Sequence, residues 1–355
     1  MKIQSLNREL IHTSIKRSLE FLAVAAWFIA AIFAGPFCYG LTVFIFLGGF
    51  PWINILIVAY LAFLYYDRNV HWTGGRSERI TSWFKNLIWW RYFCNYFPIK
   101  LIKTADLDPS RNYLLCSFPH GILATGVTGA LGTNGAGCSK IFPGLNFSIL
   151  TLNQHFFVPI FREYVLAFGT CSCDEKSIDN LLSTNSKKTE TGKVEKGRAV
   201  VLIVGGASEA FESRPNTYKI LLKRRKGFIR VALKNGAPLV PVFSFGETDI
   251  YDQVNNPEGS LLRKFQEYVK KKVGIAPIIP IGRGFFQYSF GFVPKRKPIF
   301  VVVGRPIETP KIEHPTQEEI NEYHAKFTEE LINLFETHKN KYLNNAENIS
   351  LVLCD

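Results

Sequence analysis

YLLCSFPHGIL at residues 113–123 and AVVLIVGGASEAF at residues 199–211 decide the fold. Each opens on a short apolar run and then breaks, at Pro119 or at Gly205-Gly206, just before a titratable side chain: His120 in one, Glu209 in the other. A short apolar run without alternation suits a strand covered on both faces, as in a parallel sheet between helices. LVPVFSF (239–245) and IFVVV (299–303) repeat the pattern. The predicted strands are therefore Tyr113–Ser117, Ala199–Val204, Leu239–Phe245 and Ile299–Val303. Tyr218–Asn235 and Gly259–Val273 are long enough for helices. A further helix is signalled by the capping box of Thr316 and Glu319, followed by one apolar face of Ile320, Tyr323, Phe327, Leu331, Leu334 and Phe335. The expected fold class is α/β, a mostly parallel sheet flanked by helices. In such sheets active sites gather at the carboxyl ends of strands, where His120 and Glu209 fall.

Upstream, no Asp, Glu, Lys, Arg or His occurs from Phe21 to Tyr66. A bilayer span needs about 20 apolar residues, so the run has length for two. Gly35-Pro36, Gly40, Gly48-Gly49 and Pro51 provide turn chemistry inside it. Lys2, Arg8, Lys16 and Arg17 precede it and Arg68, Arg76, Arg79, Lys85 and Arg91 follow. Basic flanks on both sides predict a transmembrane or re-entrant hairpin that leaves on the cytosolic side it entered. A cleaved signal peptide is excluded by length; a buried core segment is the competing reading. TSWFKNLIWWRYFCNYFP (81–98) has the composition of a headgroup-level segment and equally of an aromatic core helix. The organisation expected is a basic cytosolic N-terminus (1–20), the hairpin (21–66), an aromatic interfacial segment (67–100), a cytosol-facing catalytic domain (101–343) and a tail (344–355) without a structural signal. Lys187–Gly197 reads as a polar surface loop.

A net charge of +13 calls for an anionic partner. With no zinc-finger or RNP signature, membrane phosphate or a phosphorylated cofactor comes before nucleic acid, which is not expected. Seven scattered Cys, among them the pair Cys171 and Cys173, give no metal spacing, so no metal is expected. They suit a reduced compartment, in which the sequons at Asn146 and Asn348 stay unglycosylated.

His120 follows a predicted strand, and an imidazole with a pKa near 6.5 can accept a proton at neutral pH. Pro119 restricts the local backbone and Gly121 permits close approach. A strand-end histidine alone is more often structural. Glu209 can orient His120, bind a substrate hydroxyl or cap the helix that follows. Gly206-Ala-Ser208-Glu-Ala210 approaches the nucleophile elbow of serine hydrolases, with Ala in place of the last Gly. KRRKGFIR (223–230) can neutralise cofactor phosphates or be a solvated basic face.

Taken together, these motifs resemble the type-2 diacylglycerol acyltransferase family, which includes monoacylglycerol and wax-alcohol acyltransferases. FPHG at Phe118–Gly121 looks like its H/F-P-H-G signature. GGASEA (205–210) and RRKGFIRVALKNGAPLVPVFSFGE (224–247) match two further blocks, and the likeness covers nearly the whole chain. The resemblance implies acyl transfer from acyl-CoA, a co-substrate rather than a permanently bound cofactor, to diacylglycerol; monoacylglycerol and long-chain alcohol are the alternatives. It implies an endoplasmic-reticulum membrane with the site facing the cytosol, the lipid droplet as a second location, and leaves a homo-oligomer open. It makes His120 and Glu209 the catalytic candidates. Phe118, Pro119, Gly121, Gly205, Gly206, Arg224, Arg225, Lys226 and Arg230 become the substrate- and acyl-CoA-binding candidates. The wider glycerolipid acyltransferases carry H-x4-D; here Thr125 stands at the Asp position. The partner of His120 must come from elsewhere, and Glu209 is the expected one. The expected mechanism is direct transfer, with His120 as general base and backbone N–H groups near Gly121 holding the oxyanion. The rivals are a Ser208 lipid hydrolase and a non-enzymatic lipid-droplet or scaffold protein.

Overall fold

The four strands read from the apolar runs form the middle of one seven-stranded sheet. The computed structural model describes residues 2–183, 197–285 and 290–355, with side chains from residue 13 onward; the polar loop expected at 187–197 lies, but for Gly197, outside the described residues. The strands are β1 (Lys100–Lys103), β2 (Tyr113–Phe118), β3 (Asn146–Thr151), β4 (Cys171–Ser172), β5 (Arg198–Ile203), β6 (Tyr218–Leu221), β7 (Leu239–Phe245), β8 (Asp252–Gln253), β9 (Pro280–Ile281), β10 (Phe300–Val303) and β11 (Leu351–Cys354). The main sheet runs β1-β10-β7-β2-β5-β3-β4 and is parallel at every pairing except β10 with β7. β2 is its centre, with β7 and β5 on either side. Strands β1, β3 and β4 were not signalled by the apolar pattern. β1 is a four-residue edge strand with two lysines, and β3 carries Asn146, Ser148 and Thr151.

Two expectations need correction. The helix expected over Tyr218–Asn235 begins only at Gly227; Tyr218–Leu221 is β6. Its partner is β11, in parallel register from Leu351 opposite Tyr218, so the supposed tail supplies a strand. Alternation in YKIL buries Tyr218 and Ile220 and exposes Lys219, a period-2 signal short enough to be absorbed into the helical reading.

The helices used below are α1 (Lys2–Ile29), α2 (Gly35–Gly48), α3 (Pro51–Tyr66), α4 (Glu78–Lys85), α5 (Ile88–Tyr96), α6 (Thr125–Ala130), α7 (Gly227–Asn235), α8 (Leu261–Val273) and α9 (Gln317–Tyr342). One core fills the sheet face covered by α1, α5 and α6; the other lies under α7 and α9. The capping box at Thr316 and Glu319 starts α9, and Ile320, Phe327, Leu331, Leu334 and Phe335 are its buried face. In α5, Trp90, Phe93, Cys94 and Tyr96 are buried, so that stretch is a core helix; Trp83 of α4 remains exposed.

The apolar run from Phe21 does not all face one medium. Ala23, Val24, Ala25, Trp27 and Phe28 are buried in the core, with Trp27 on Phe93 at 5.2 Å and Phe28 on Tyr251 at 5.5 Å between ring centroids. Arg296 pairs with Glu20 beside them. The boundary drawn at residues 20/21 is therefore misplaced, because the start of the run is a core helix. α1 continues through a π-helical turn, Ala30–Ala34, into α2. Among the described residues, Thr13–Gly48 is the one helical stretch long and apolar enough to cross a membrane by length and composition. The 16 residues of α3 fall short of the roughly 20 that a span takes.

α8 exposes three large apolar side chains beside Lys264, Glu267, Lys271 and Lys272. Arg263 and Gln266 are buried, whereas Leu261, Phe265 and Tyr268 are 86, 61 and 62% exposed. Spacings of four and three residues put those three on one side of the helix.

Candidate active site

Because β2 lies between β7 and β5, the loop leaving its carboxyl end is bordered by the ends of both neighbours. Each neighbour delivers one buried glutamate to that loop. Beyond β5, Glu209 accepts the backbone N–H of His120 at 2.5 Å through Oε1 and that of Leu221 at 2.8 Å through Oε2. Beyond β7, Glu247 accepts the N–H of Thr125 through Oε1 and of Gly126 through Oε2, both at 2.7 Å. Bonds from amides to an ionised carboxylate are the stronger kind. Glycines make the approach possible: a Cβ on Gly205 would stand 2.0 Å from Oε2 of Glu209, and one on Gly121 2.7 Å from Cγ of Glu247. Gly121 also has φ +60°, a region that favours glycine. Burial raises both carboxyls to about 7, against the opposing pull of the N–H donors.

His120 is partly buried, and its Nδ1 lies 3.1 Å from the carbonyl oxygen of Gly121. In the tautomer that donates this bond, Nε2 carries the lone pair. Burial lowers the imidazole below its ordinary 6.5, with the Gly121 carbonyl acting in the opposite sense, so the ring is neutral at pH 7. The carbonyl of His120 accepts the N–H of Ala124 at 2.9 Å. The amides of His120, Ala124, Thr125 and Gly126 are thus engaged. Those of Gly121, Ile122 and Leu123 carry no hydrogen bond among the described residues.

The expected role of Glu209 as orienter of His120 takes a different form in the structure: the carboxylate reaches the backbone amide, and the ring's own partner is a carbonyl. Phe118 is wholly buried against Phe327 of α9, with ring centroids 6.3 Å apart, and Pro119 is buried too. Phe118 ends β2 and Pro119 opens the loop that follows it. The four basic candidates are not gathered at one point. Arg224 pairs with Asp355 at 3.1 Å, Arg230 with Glu175 at 2.6 Å, and Lys226 donates to Asn321 at 2.7 Å. The exposed Arg225 is the one whose charge is felt by Glu209. Lys223 and Lys226 line a shallow groove of about 470 Å³ with His324, Thr328 and Ile332.

Residues 44–353 match the family described as diacylglycerol acyltransferase. The chain belongs to the diacylglycerol acyltransferase family. It is 41% identical to 2-acylglycerol O-acyltransferase 1 of Bos taurus over 94% of this chain and 95% of that one. It is 44% identical to diacylglycerol O-acyltransferase 2 of Dictyostelium discoideum over 80% and 82%, and 39% identical to the Homo sapiens protein of that name over 93% and 81%. Among solved structures, the lysophosphatidic acid acyltransferase PlsC of Thermotoga maritima aligns over 89% of this chain and 95% of that one. The TM-score is 0.38 and the identity 13%.

As a diacylglycerol acyltransferase family member the chain is an O-acyltransferase, and the hydrolase reading loses its ground. Ser208 Oγ accepts a bond from Nζ of Lys270 at 2.9 Å, while His324 and His338 bond to the carbonyls of Leu222 and Leu334. Two residues beside the site escaped the sequence reading. Lys270 lies in a run of three lysines, Lys270–Lys272, two of them exposed, which hid its contact with Ser208. Glu247 closes a strand-Gly-acid pattern, VFSFGE, parallel to the one that singled out Glu209. That repetition was the available signal.

Proposed function

We propose that this chain moves a fatty acyl group from acyl-CoA to the free hydroxyl of diacylglycerol, with His120 as general base. The observation carrying this reading is the bond between Nδ1 of His120 and the Gly121 carbonyl, which leaves Nε2 as a neutral acceptor in a partly open loop. Nε2 takes the hydroxyl proton as the alcohol oxygen bonds to the thioester carbonyl carbon. The resulting oxyanion is held by the amides of Gly121, Ile122 and Leu123. When the carbonyl re-forms, the C–S bond breaks, the electron pair leaves with sulfur, and the imidazolium returns its proton to the thiolate. Arg225, whose charge is felt by Glu209, and Lys270, which donates to Ser208, are cations beside the site for the phosphates of CoA.

The membrane part of the reading rests on two features: the apolar stretch that continues α1 beyond the core, and the outward Leu261, Phe265 and Tyr268 of α8. Together they suit a domain seated on the cytosolic face of the endoplasmic-reticulum membrane, with α2 and α3 as a hairpin within it, and able to meet lipid droplets. A second acceptor, monoacylglycerol, is favoured by the 41% identity to a relative named for 2-acylglycerol.

The test uses microsomes supplied with labelled oleoyl-CoA and diacylglycerol, monoacylglycerol and a long-chain alcohol in competition. His120→Ala is expected to lower ester synthesis by about 10²–10⁴-fold at equal protein level. Near-normal synthesis would remove the histidine from the mechanism, and the ratio of the three products ranks the acceptors.

A further inference from the structure

We propose that Glu247 is a positioning residue for His120, holding the far end of its loop as Glu209 holds the near end; the inference rests on the reading of His120 as base.

Between β2 and α6 the chain has only Pro119 to Ala124 in which to turn, and the turn is not one it would keep unaided. Ala124 has φ +49°, a conformation disfavoured for a residue with a Cβ, and Gly121 has φ +60°. A six-residue helix starting directly after Ala124 gives little local restoring force. Glu247 supplies the restraint. Its carboxylate spans the first two amides of α6, Thr125 and Gly126, at 2.7 Å each. Its stem fills the space that a side chain on Gly121 would need, since a Cβ there would meet Cγ at 2.7 Å and Oε1 at 2.9 Å. One buried side chain thus touches residues 121, 125 and 126, on both sides of the turn that carries the imidazole and the three open amides. Glu247 is itself fixed: Gly246 donates its N–H to the Tyr218 hydroxyl at 3.0 Å, and a Cβ on Gly246 would stand 2.3 Å from the Pro298 carbonyl oxygen.

The arrangement also accounts for Thr125. A carboxylate on that residue would bring a second negative charge close to Glu247 in a buried site, and like charges there oppose ionisation. The acid arrives instead from the neighbouring strand and grips Thr125 by its backbone. Both oxygens of Glu247 accept, so Gln, of the same shape, retains one acceptor and turns an NH₂ group towards the other N–H. Asp is one methylene too short to reach both amides.

The test measures kcat and KM for oleoyl-CoA, with dioleoylglycerol as acceptor, for the full chain in phospholipid nanodiscs. Wild type, His120→Ala, Glu247→Gln and Glu247→Asp are compared, each per mole of monodisperse folded protein. Glu247→Gln is expected to lower kcat at least tenfold and leave KM within twofold, with Glu247→Asp between it and wild type. A kcat within tenfold of wild type for Glu247→Gln, while His120→Ala is inactive, overturns this inference and leaves the base reading standing. So does a change confined to KM, or to the yield of folded protein, since a purely structural prop leaves turnover per folded molecule intact. Near-normal turnover by His120→Ala would overturn the base reading instead. If Glu247→Gln yields no folded protein, Glu247→Asp decides on kcat alone: a loss of twofold or more with KM unchanged supports the inference, and anything less overturns it.

Discussion

The backbone N–H of His120 donates to Oε1 of Glu209 at 2.5 Å, so the acid grips the main chain of the residue whose side chain it was expected to orient. Since Oε2 also takes the amide of Leu221, Glu209→Ala leaves two part-buried N–H groups without their acceptor, at a cost of about 1 kcal/mol each. Glu209→Gln keeps one acceptor oxygen and should fall between alanine and wild type. Thermal unfolding in detergent reads this order directly; an alanine variant that melts with wild type would show that the amides find other partners.

The acid limb of activity should centre near pH 7. Burial raises the carboxyls of Glu209 and Glu247 to about 7, and both hold the His120 loop through oxygens that accept, so their protonation loosens the loop first. The His120 imidazole, lowered by burial beneath its ordinary value, takes up its proton only at lower pH than a free imidazole. A profile of kcat/KM for the acceptor between pH 5 and 8 checks this. Full turnover through pH 6.5 would show that the loop keeps its place when the two carboxyls are protonated.

Ser208→Ala should retain activity and the wild-type chain should resist fluorophosphonate labelling. The hydroxyl accepts from Lys270, and losing one such bond is worth roughly 0.5–1.5 kcal/mol, far less than losing a nucleophile. Covalent labelling at Ser208 together with an inactive alanine variant would reinstate the hydrolase mechanism.

The outward face of α8 should touch lipid. With Phe265→p-benzoylphenylalanine in proteoliposomes, irradiation is expected to give lipid adducts, while the same substitution at the exposed Lys326 of α9 gives none. Equal yields at the two positions would leave α8 in water. Serine at Leu261, Phe265 and Tyr268 together should lower turnover of bilayer-dissolved acceptor more than that of acceptor in detergent micelles.

The sheet was legible where burial was two-sided. β2, β5, β7 and β10 are unbroken apolar runs because helices cover both of their faces. β1 and β6 escaped because short strands with lysines carry too little pattern, and β11 because its partner lies far away in sequence. The start of the apolar run was misassigned for a different reason: lipid and a protein core select the same side chains, so Ala23–Phe28 cannot be told from the residues after them without knowing what packs there. In the site, residue types and strand ends pointed to His120 and Glu209. What the acid touches is set by the positions of β5 and β7 beside β2, and spacing along the chain says nothing of that.

Beyond Phe28 the helix runs on as one rod to Gly48, with a π turn at Ala30–Ala34, and Ala34 and Cys38 still pack against the cluster of Phe156, Phe161, Val165 and Leu166. From Ile29 to Gly48 such a rod measures about 30 Å, close to the hydrocarbon thickness of a bilayer. In the membrane seat proposed above, a catalytic head on a stiff post would have no slack with which to ride up or down. In a bilayer thicker or thinner than the post, the mismatch would be taken up by tilting the helix or by pulling on Trp27 and Phe28, which sit among the aromatic rings of Phe93 and Tyr251. On that proposal, lipid chain length would become a handle on the enzyme.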